Sequence, residues 1–187
     1  MLGRKILIYG SIGSGKTTFS REAFNDLPLI ELDEINRNLI EPGNSGYKEL
    51  KKIISTEYFE PNGHINKKKL KVDLFNNNKL REKIENILHP LIFDELNKFI
   101  KGKSSYVVIS PLVKTVLQKM KFDLKIKVVC NTNLQTKRVE SRDSLEENII
   151  NKIIAYQEKN YELVQPDFIF DSASELEGQL IKLKNIL

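Results

Sequence analysis

Short apolar, β-branched runs punctuate the chain at KILIYG (5–10), PLIEL (28–32), YVVIS (106–110), KIKVVC (125–130) and DFIFD (167–171). Each is about four to six residues long and nearly continuous in hydrophobicity, the pattern of strands buried on both faces of a parallel sheet. Between most of them apolar residues return at three- and four-residue spacing, which predicts alternating strands and helices and a repeated βαβ architecture.

The gap between the second and third runs breaks this rhythm. YKELKKIISTEYF (47–59), INKKKLKVDLF (65–75) and NKLREKIENILHPLIFDELNKFI (78–100) all carry helical spacing, so a helical insertion is expected over about 42–102. Pro42, Gly43 and Gly46 mark its start, and EPNGH (60–64) is a turn within it. SRDSLEENIINKIIAYQEKN (141–160) is a further charged helical stretch, placed where a mobile lid over about 138–160 would fit. No repeat or linker divides the chain, and a single domain over 1–187 is expected.

A length of 187 residues is enough for a sheet covered on both faces. Apolar residues make up 40% and charged residues 29%, and no apolar run reaches the ~18 residues of a membrane span. No membrane partner is expected. Met1 leads directly towards the first predicted strand without a secretory pattern, and Cys130 is the single cysteine, so a reducing cytoplasm is the expected home. The net charge of +5 favours an anionic partner. Its lysines are scattered among Asn and Ile without interleaved aromatics, which argues against nucleic acid and leaves nucleotides and phosphorylated cofactors.

Candidate chemistry is densest where the first strand ends. Gly10-Ser11-Ile12-Gly13-Ser14-Gly15-Lys16-Thr17 fills every fixed position of G-x-x-x-x-G-K-[ST], with an apolar strand before it and a helical stretch, KTTFSREAF (16–24), after it. Small residues let backbone N–H groups turn inward against phosphate oxygens, and the following helix adds the positive end of its dipole. Residues Ser11 to Thr18 are the expected ATP-phosphate contacts. Lys16 reaches the β and γ phosphates, and the Thr17 hydroxyl is the expected ligand of Mg²⁺.

A phosphoryl transferase also needs a group for its acceptor hydroxyl. Asp33 follows the PLIEL run, where spacing leaves two roles open: a base at the end of a strand, or an N-cap for EINRNLI. Arg37, one helical turn on, either clamps an anionic acceptor or pairs with Glu41. His64 lies in a turn and is expected at the surface, while Cys130, inside a predicted strand, is expected to pack in the core.

Taken in order and spacing, GSIGSGKTTFS, IELDEINRNLIEPG (30–43), NGHINKKKLKVDLFNN (62–77), LREKIENILHPLI (80–92), SPLV (110–113) and KRVESRD (137–143) resemble the signatures of dephospho-CoA kinase over nearly the whole chain. The His-Pro pair in IENILHPLI is the most telling piece. The resemblance implies an α/β P-loop fold like the nucleoside monophosphate kinases, with a five-stranded parallel core sheet, a helical acceptor-binding insertion and a lid. It implies transfer of the γ-phosphoryl of ATP to the ribose 3′-hydroxyl of dephospho-CoA, the last step of coenzyme A synthesis; the sequence leaves the oligomeric state open, with a monomer favoured.

Carried residue by residue, the resemblance implies Asp33 as base, Arg37 and His89 at the acceptor, and Arg138 and Arg142 as basic positions entering the lid. Apart from it, His89 reads as a helix-end histidine, and Arg138 and Arg142 as a solvated face near Glu140 and Asp143. The chain departs from the family pattern at Glu31, Lys67, Ile109 and Thr115. Two rivals accompany this reading: another small-molecule or nucleoside monophosphate kinase, and a nucleotide-binding regulatory protein without transfer activity.

Overall fold

The five predicted apolar runs all form strands in the computed structural model, which describes residues 3–186; the run-in from Met1 and Leu2 lies outside the described residues, as does Leu187. The strands are β1 (Lys5–Tyr9), β2 (Leu29–Glu31), β3 (Tyr106–Ile109), β4 (Leu124–Val129) and β5 (Phe168–Asp171). They pair in parallel in the order β2-β3-β1-β4-β5, with Ile6 opposite Val107 on one side and Leu124 on the other. Ile6, Leu7, Ile8 and Tyr9 retain no exposed surface, as a central strand covered on both faces requires. On β4, Leu124, Ile126 and Val128 are buried while Lys125 and Lys127 are only partly so, their ammonium groups held by Asp167 and Glu158.

The helices in chain order are α1 (Lys16–Ala23), α2 (Leu32–Leu39), α3 (Ser45–Lys51), α4 (Lys67–Asn76), α5 (Asn78–Ile100), α6 (Val113–Lys119), α7 (Thr132–Asp143), α8 (Glu147–Lys159) and α9 (Leu176–Lys184). The described residues up to Glu31 and from Gly102 onward make one compact unit, and Leu32–Lys101 makes a second. In the first, Phe19 of α1 stacks on Phe170 of β5 at 4.2 Å between ring centroids and meets Phe24 edge-on. Such pairs contribute about 0.5–1.5 kcal/mol each beyond burial, and this cluster seats α1 on the sheet. In the second, α2, α3 and α4 pack on the long helix α5. Asn66 and Asn77 cap α4 and α5 by accepting from the backbone N–H of Lys69 and Leu80.

Two expected helices are interrupted. The 47–59 stretch is helical only to Lys51; Ser55 then turns extended and accepts from the Glu57 N–H at the head of a short 3-10 turn, Thr56–Tyr58. Leu50, Ile54 and Tyr58 still all bury, so the apolar spacing was real, but the local serine bond competed with the helical ladder. The 141–160 stretch breaks at Ser144, in the left-handed conformation (φ 51°), its N–H closing α7 on the Glu140 carbonyl. Leu145, beside it, is 4% exposed, so its burial draws the chain in between α7 and α8.

Among the described residues, no helix is long and apolar enough to cross a membrane.

Candidate active site

The phosphate-loop sequence sits at the C-terminal end of β1, where the connections leave to either side of the sheet; in open α/β sheets this is where ligands bind. Gly13 (φ 76°) has a left-handed backbone, and a Cβ on it would lie 2.8 Å from Val139 Cγ2 and 2.9 Å from the Gln135 carbonyl oxygen. Glycine is therefore required both by conformation and by the close approach of α7. Gly15, also left-handed, is the residue ahead of α1, and the first helical bond runs from Phe19 N–H to its carbonyl at 3.0 Å. The amides of Gly15, Thr17 and Thr18 thus precede the helical ladder, as in any helix N-terminus that receives an anion.

Lys16 is 8% exposed, and its ammonium donates to the Ser11 carbonyl at 3.1 Å. Ser14 is wholly buried, and among the described residues its hydroxyl has no hydrogen-bond partner. Thr17 is half-buried and Thr18 exposed on the first turn of α1. The Thr17 hydroxyl is the hard oxygen donor that Mg²⁺ prefers; this ion usually takes only one or two protein ligands and completes its shell with substrate phosphates and water. Among the described residues, no three His, Cys, Asp or Glu gather as a metal site.

Two elements close on the loop from the β4–β5 side of the sheet. Arg138 of α7 donates through Nη1 to the Gly13 carbonyl at 3.3 Å and to Ser172 Oγ at 3.1 Å. Cys130 Sγ lies 3.5 Å from the same nitrogen. Cys130 falls just past β4 and is half-buried, so it belongs to the rim of this site and not to the strand core. Ser172 is presented by a turn in which the Asp171 carboxylate accepts from the Ala173 N–H and the Ser174 hydroxyl. Those two bonds hold the Asp171 carboxyl below its ordinary range. Arg142, one turn beyond Arg138, is largely exposed and makes a two-pronged contact with the adjacent Asp143. Both arginines are exposed, as a solvated face requires, and Arg138 in addition bonds across the loop.

Below the loop, the Tyr161 hydroxyl donates to the Gly10 carbonyl at 2.9 Å, and the Tyr9 and Tyr161 rings meet edge-on at 5.4 Å. Burial, then the Asp167 and Glu158 charges, push the Tyr9 phenol up to about 12. Two glutamines absent from the sequence-based expectations bond the loop directly, Gln135 from α7 and Gln157 from α8. A single polar residue on a helix gives no sequence signal that it faces a loop more than a hundred residues earlier.

The remaining expected residues lie on the second unit. Asp33 and Arg37 stand one turn apart on α2, and both are exposed. Asp33 is inside the first turn, because α2 starts directly after β2 at Leu32; the N-cap role ahead of the helix is excluded. Glu41 is engaged by Lys67 at 2.5 Å and by His64 Nδ1 at 3.4 Å, so the Glu41 pairing considered for Arg37 is replaced by these two. The Lys67 contact is the main cause of a lowered Glu41 pKa. His64 is exposed, as expected of a turn. His89 lies inside α5, half-buried, well away from either end, so the helix-end reading fails. The departures at Glu31 and Ile109 close β2 and β3, and Ile109 is 2% exposed.

The family model for dephospho-CoA kinase matches residues 5–177. The chain belongs to the dephospho-CoA kinase family. The dephospho-CoA kinase of Methylococcus capsulatus is 30% identical over 173 residues, covering 90% of this chain and 87% of that protein. Among solved structures, a Thermus thermophilus protein superposes with a TM-score of 0.75 at 18% identity, covering 100% of this chain and 97% of that one. The dephospho-CoA kinase of Campylobacter jejuni gives 0.57 at 21% identity, covering 100% and 98%. These likenesses fix the fold as that of the P-loop kinases. Dephospho-CoA kinases transfer a phosphate from ATP, so the chain is a kinase of that class.

Proposed function

We propose that this dephospho-CoA kinase family member transfers the γ-phosphoryl group of ATP to the 3′-hydroxyl of the dephospho-CoA ribose, giving coenzyme A and ADP. The observation that carries the reading is the complete phosphate loop, with Lys16 buried in it and Arg138 bonded across it, in a chain matched to the family over residues 5–177.

In this reading the loop amides and Lys16 hold the β and γ phosphates, and the Thr17 hydroxyl holds Mg²⁺. When bound, that ion neutralises phosphate charge. Asp33 orients the acceptor hydroxyl and takes its proton as the new P–O bond forms and the bond to ADP breaks. Arg37 and His89 bind the acceptor within a helical part spanning about 42–102 and its neighbouring α2. Arg138 and Arg142 belong to a lid segment over about 138–160 and balance charge on the transferring group. Phosphoryl transfer passes through a loose transition state, so positioning and charge stabilisation carry most of the work. Closure over the site excludes water and suppresses ATP hydrolysis. The enzyme acts as a cytoplasmic monomer on small molecules, without a nucleic-acid or membrane partner.

The test is to supply Mg-ATP with dephospho-CoA, AMP, CMP or no acceptor, following ADP release and product mass. Phosphorylation of dephospho-CoA alone is the expected result. Turnover of AMP or CMP instead, or ATP binding with no acceptor consumed, would overturn the reading.

A further inference from the structure

The two glutamines meet at one residue of the loop. The Ile12 N–H donates to Gln157 Oε1 at 2.7 Å, and the Ile12 carbonyl accepts from Gln135 Nε2 at 2.9 Å. A second proton on Gln135 Nε2 goes to Ser11 Oγ at 2.8 Å. The partners fix both amide orientations, because a backbone N–H can only donate and a backbone carbonyl can only accept. Gln135 is 4% exposed, so its amide is committed to the loop and not to solvent.

A trans peptide is planar, with its C=O and N–H pointing opposite ways. Fixing one end of each unit therefore aims the other. Gln157 holds the N–H of the Ser11–Ile12 peptide, which turns the Ser11 carbonyl to the opposite side. There that carbonyl accepts from Lys16 Nζ at 3.1 Å and from the Ser14 N–H at 3.2 Å. Gln135 holds the carbonyl of the Ile12–Gly13 peptide, which turns the Gly13 N–H away from α7.

We infer that Gln135 and Gln157 are positioning residues for the phosphate transfer: each locks one peptide plane of the loop, Gln157 the one that seats Lys16 and Gln135 the one that aims the Gly13 amide. The inference rests on the reading that this loop binds ATP. It also divides the labour between α7 and α8, since one helix supplies an amide donor and the other an amide acceptor.

The experiment measures Mg-ATP binding by calorimetry and steady-state kinetics with dephospho-CoA for the full-length protein and Gln135→Met, Gln157→Met, Gln135→Glu and Gln157→Glu, with thermal melts of each. Glutamate keeps the acceptor that position 157 needs but removes the donor that position 135 needs. Both glutamates bring the same added charge near the phosphates.

Each Met variant is expected to raise KM and Kd for ATP about fivefold to tenfold, as the loss of one or two bonds implies, with KM for dephospho-CoA unchanged. Gln157→Glu recovers most of the loss relative to Gln157→Met, whereas Gln135→Glu is no better than Gln135→Met. Should the buried position 135 not tolerate replacement, the half-buried position 157 decides alone. Wild-type ATP binding in Gln157→Met, or a Gln157→Glu variant no better than Gln157→Met, overturns the inference. Failure of the unaltered protein to bind Mg-ATP overturns the reading beneath it instead.

Discussion

Arg138 and Gly13 are joined by a bond from the guanidinium Nη1 to the backbone carbonyl at 3.3 Å, so the first arginine of α7 belongs to the phosphate loop itself. The same nitrogen reaches Ser172 Oγ at 3.1 Å, which ties α7, the loop and the turn after β5 at a single point. Replacing Arg138 with Ala removes a charged donor and is expected to lower kcat/KM for ATP about tenfold to a hundredfold. Lysine restores the charge but not the planar fork, so Arg138→Lys should regain only part of it. Steady-state kinetics at saturating dephospho-CoA check this, and equal activity of the Ala and wild-type proteins would remove Arg138 from the site.

Asp33 stands exposed in the first turn of α2, and the base role proposed for it predicts an effect on turnover separable from nucleotide binding. Asp33→Asn is expected to bind Mg-ATP normally while turnover drops about a hundredfold to ten-thousandfold, the usual range for loss of a general base. Lys16→Ala, by contrast, should weaken nucleotide binding itself. Calorimetry and turnover on the two variants separate the roles, and near wild-type turnover in Asp33→Asn would show that the base is another group.

Gly13 and Gly43 allow the effect of crowding to be separated from that of backbone strain. Both are left-handed, at φ 76° and φ 91°, but a Cβ at Gly13 meets Val139 and Gln135 inside 3 Å, whereas at Gly43 it meets nothing within 4 Å. Gly43→Ala is expected to cost about 1–2 kcal/mol from conformation alone. Gly13→Ala adds overpacking, about 1–3 kcal/mol more, and should disturb ATP binding as well. Urea unfolding of the two variants checks the order; an equal loss at both sites would mean that α7 yields freely to the loop.

Tyr9 carries a phenol raised from 10.0 to about 12, chiefly by burial. The folded state therefore keeps this proton at pH values where the unfolded chain has lost it. Its contribution is complete below pH 10 and declines as pH rises towards 12, at a slope of up to about 1.4 kcal/mol per pH unit. Comparing the unfolding free energy of wild type and Tyr9→Phe across this window should give a difference that shrinks with rising pH. A constant difference would mean that the phenol titrates normally.

Much of this was legible in the residues. The apolar runs located every strand, because buried parallel strands need continuous hydrophobicity, and the stretch at 78–100 is α5 end to end. The loop was legible because its glycines and lysine are required by backbone geometry at fixed spacing. What stayed hidden depended on distant neighbours. Arg138 is named through the resemblance and is exposed as its helix face suggests, but nothing local records the Gly13 carbonyl and Ser172 that it bonds. Gln135, Gln157 and Tyr161 have polar side chains on helices or just past them, and only the approach of α7, α8 and the residues after them to the loop turns them towards Gly10, Ser11 and Ile12. Ser144 was missed because serine has no strong preference for the left-handed conformation that ends α7.

Pro90 lies inside α5, one residue after His89. Its ring nitrogen carries no proton, so the Asn86 carbonyl is denied the rung that would normally brace it four residues on. Ile84 and Leu88 anchor the helix before this gap, and Ile92, Phe93 and Leu96 anchor it after, so both flanks stay buried while the ladder between them is discontinuous. In hydrogen-exchange terms α5 is two segments, and amide protons on either side of the proline can open on separate schedules. His89 thus sits at the seam of a long rod, where a small bend can be made without melting a turn.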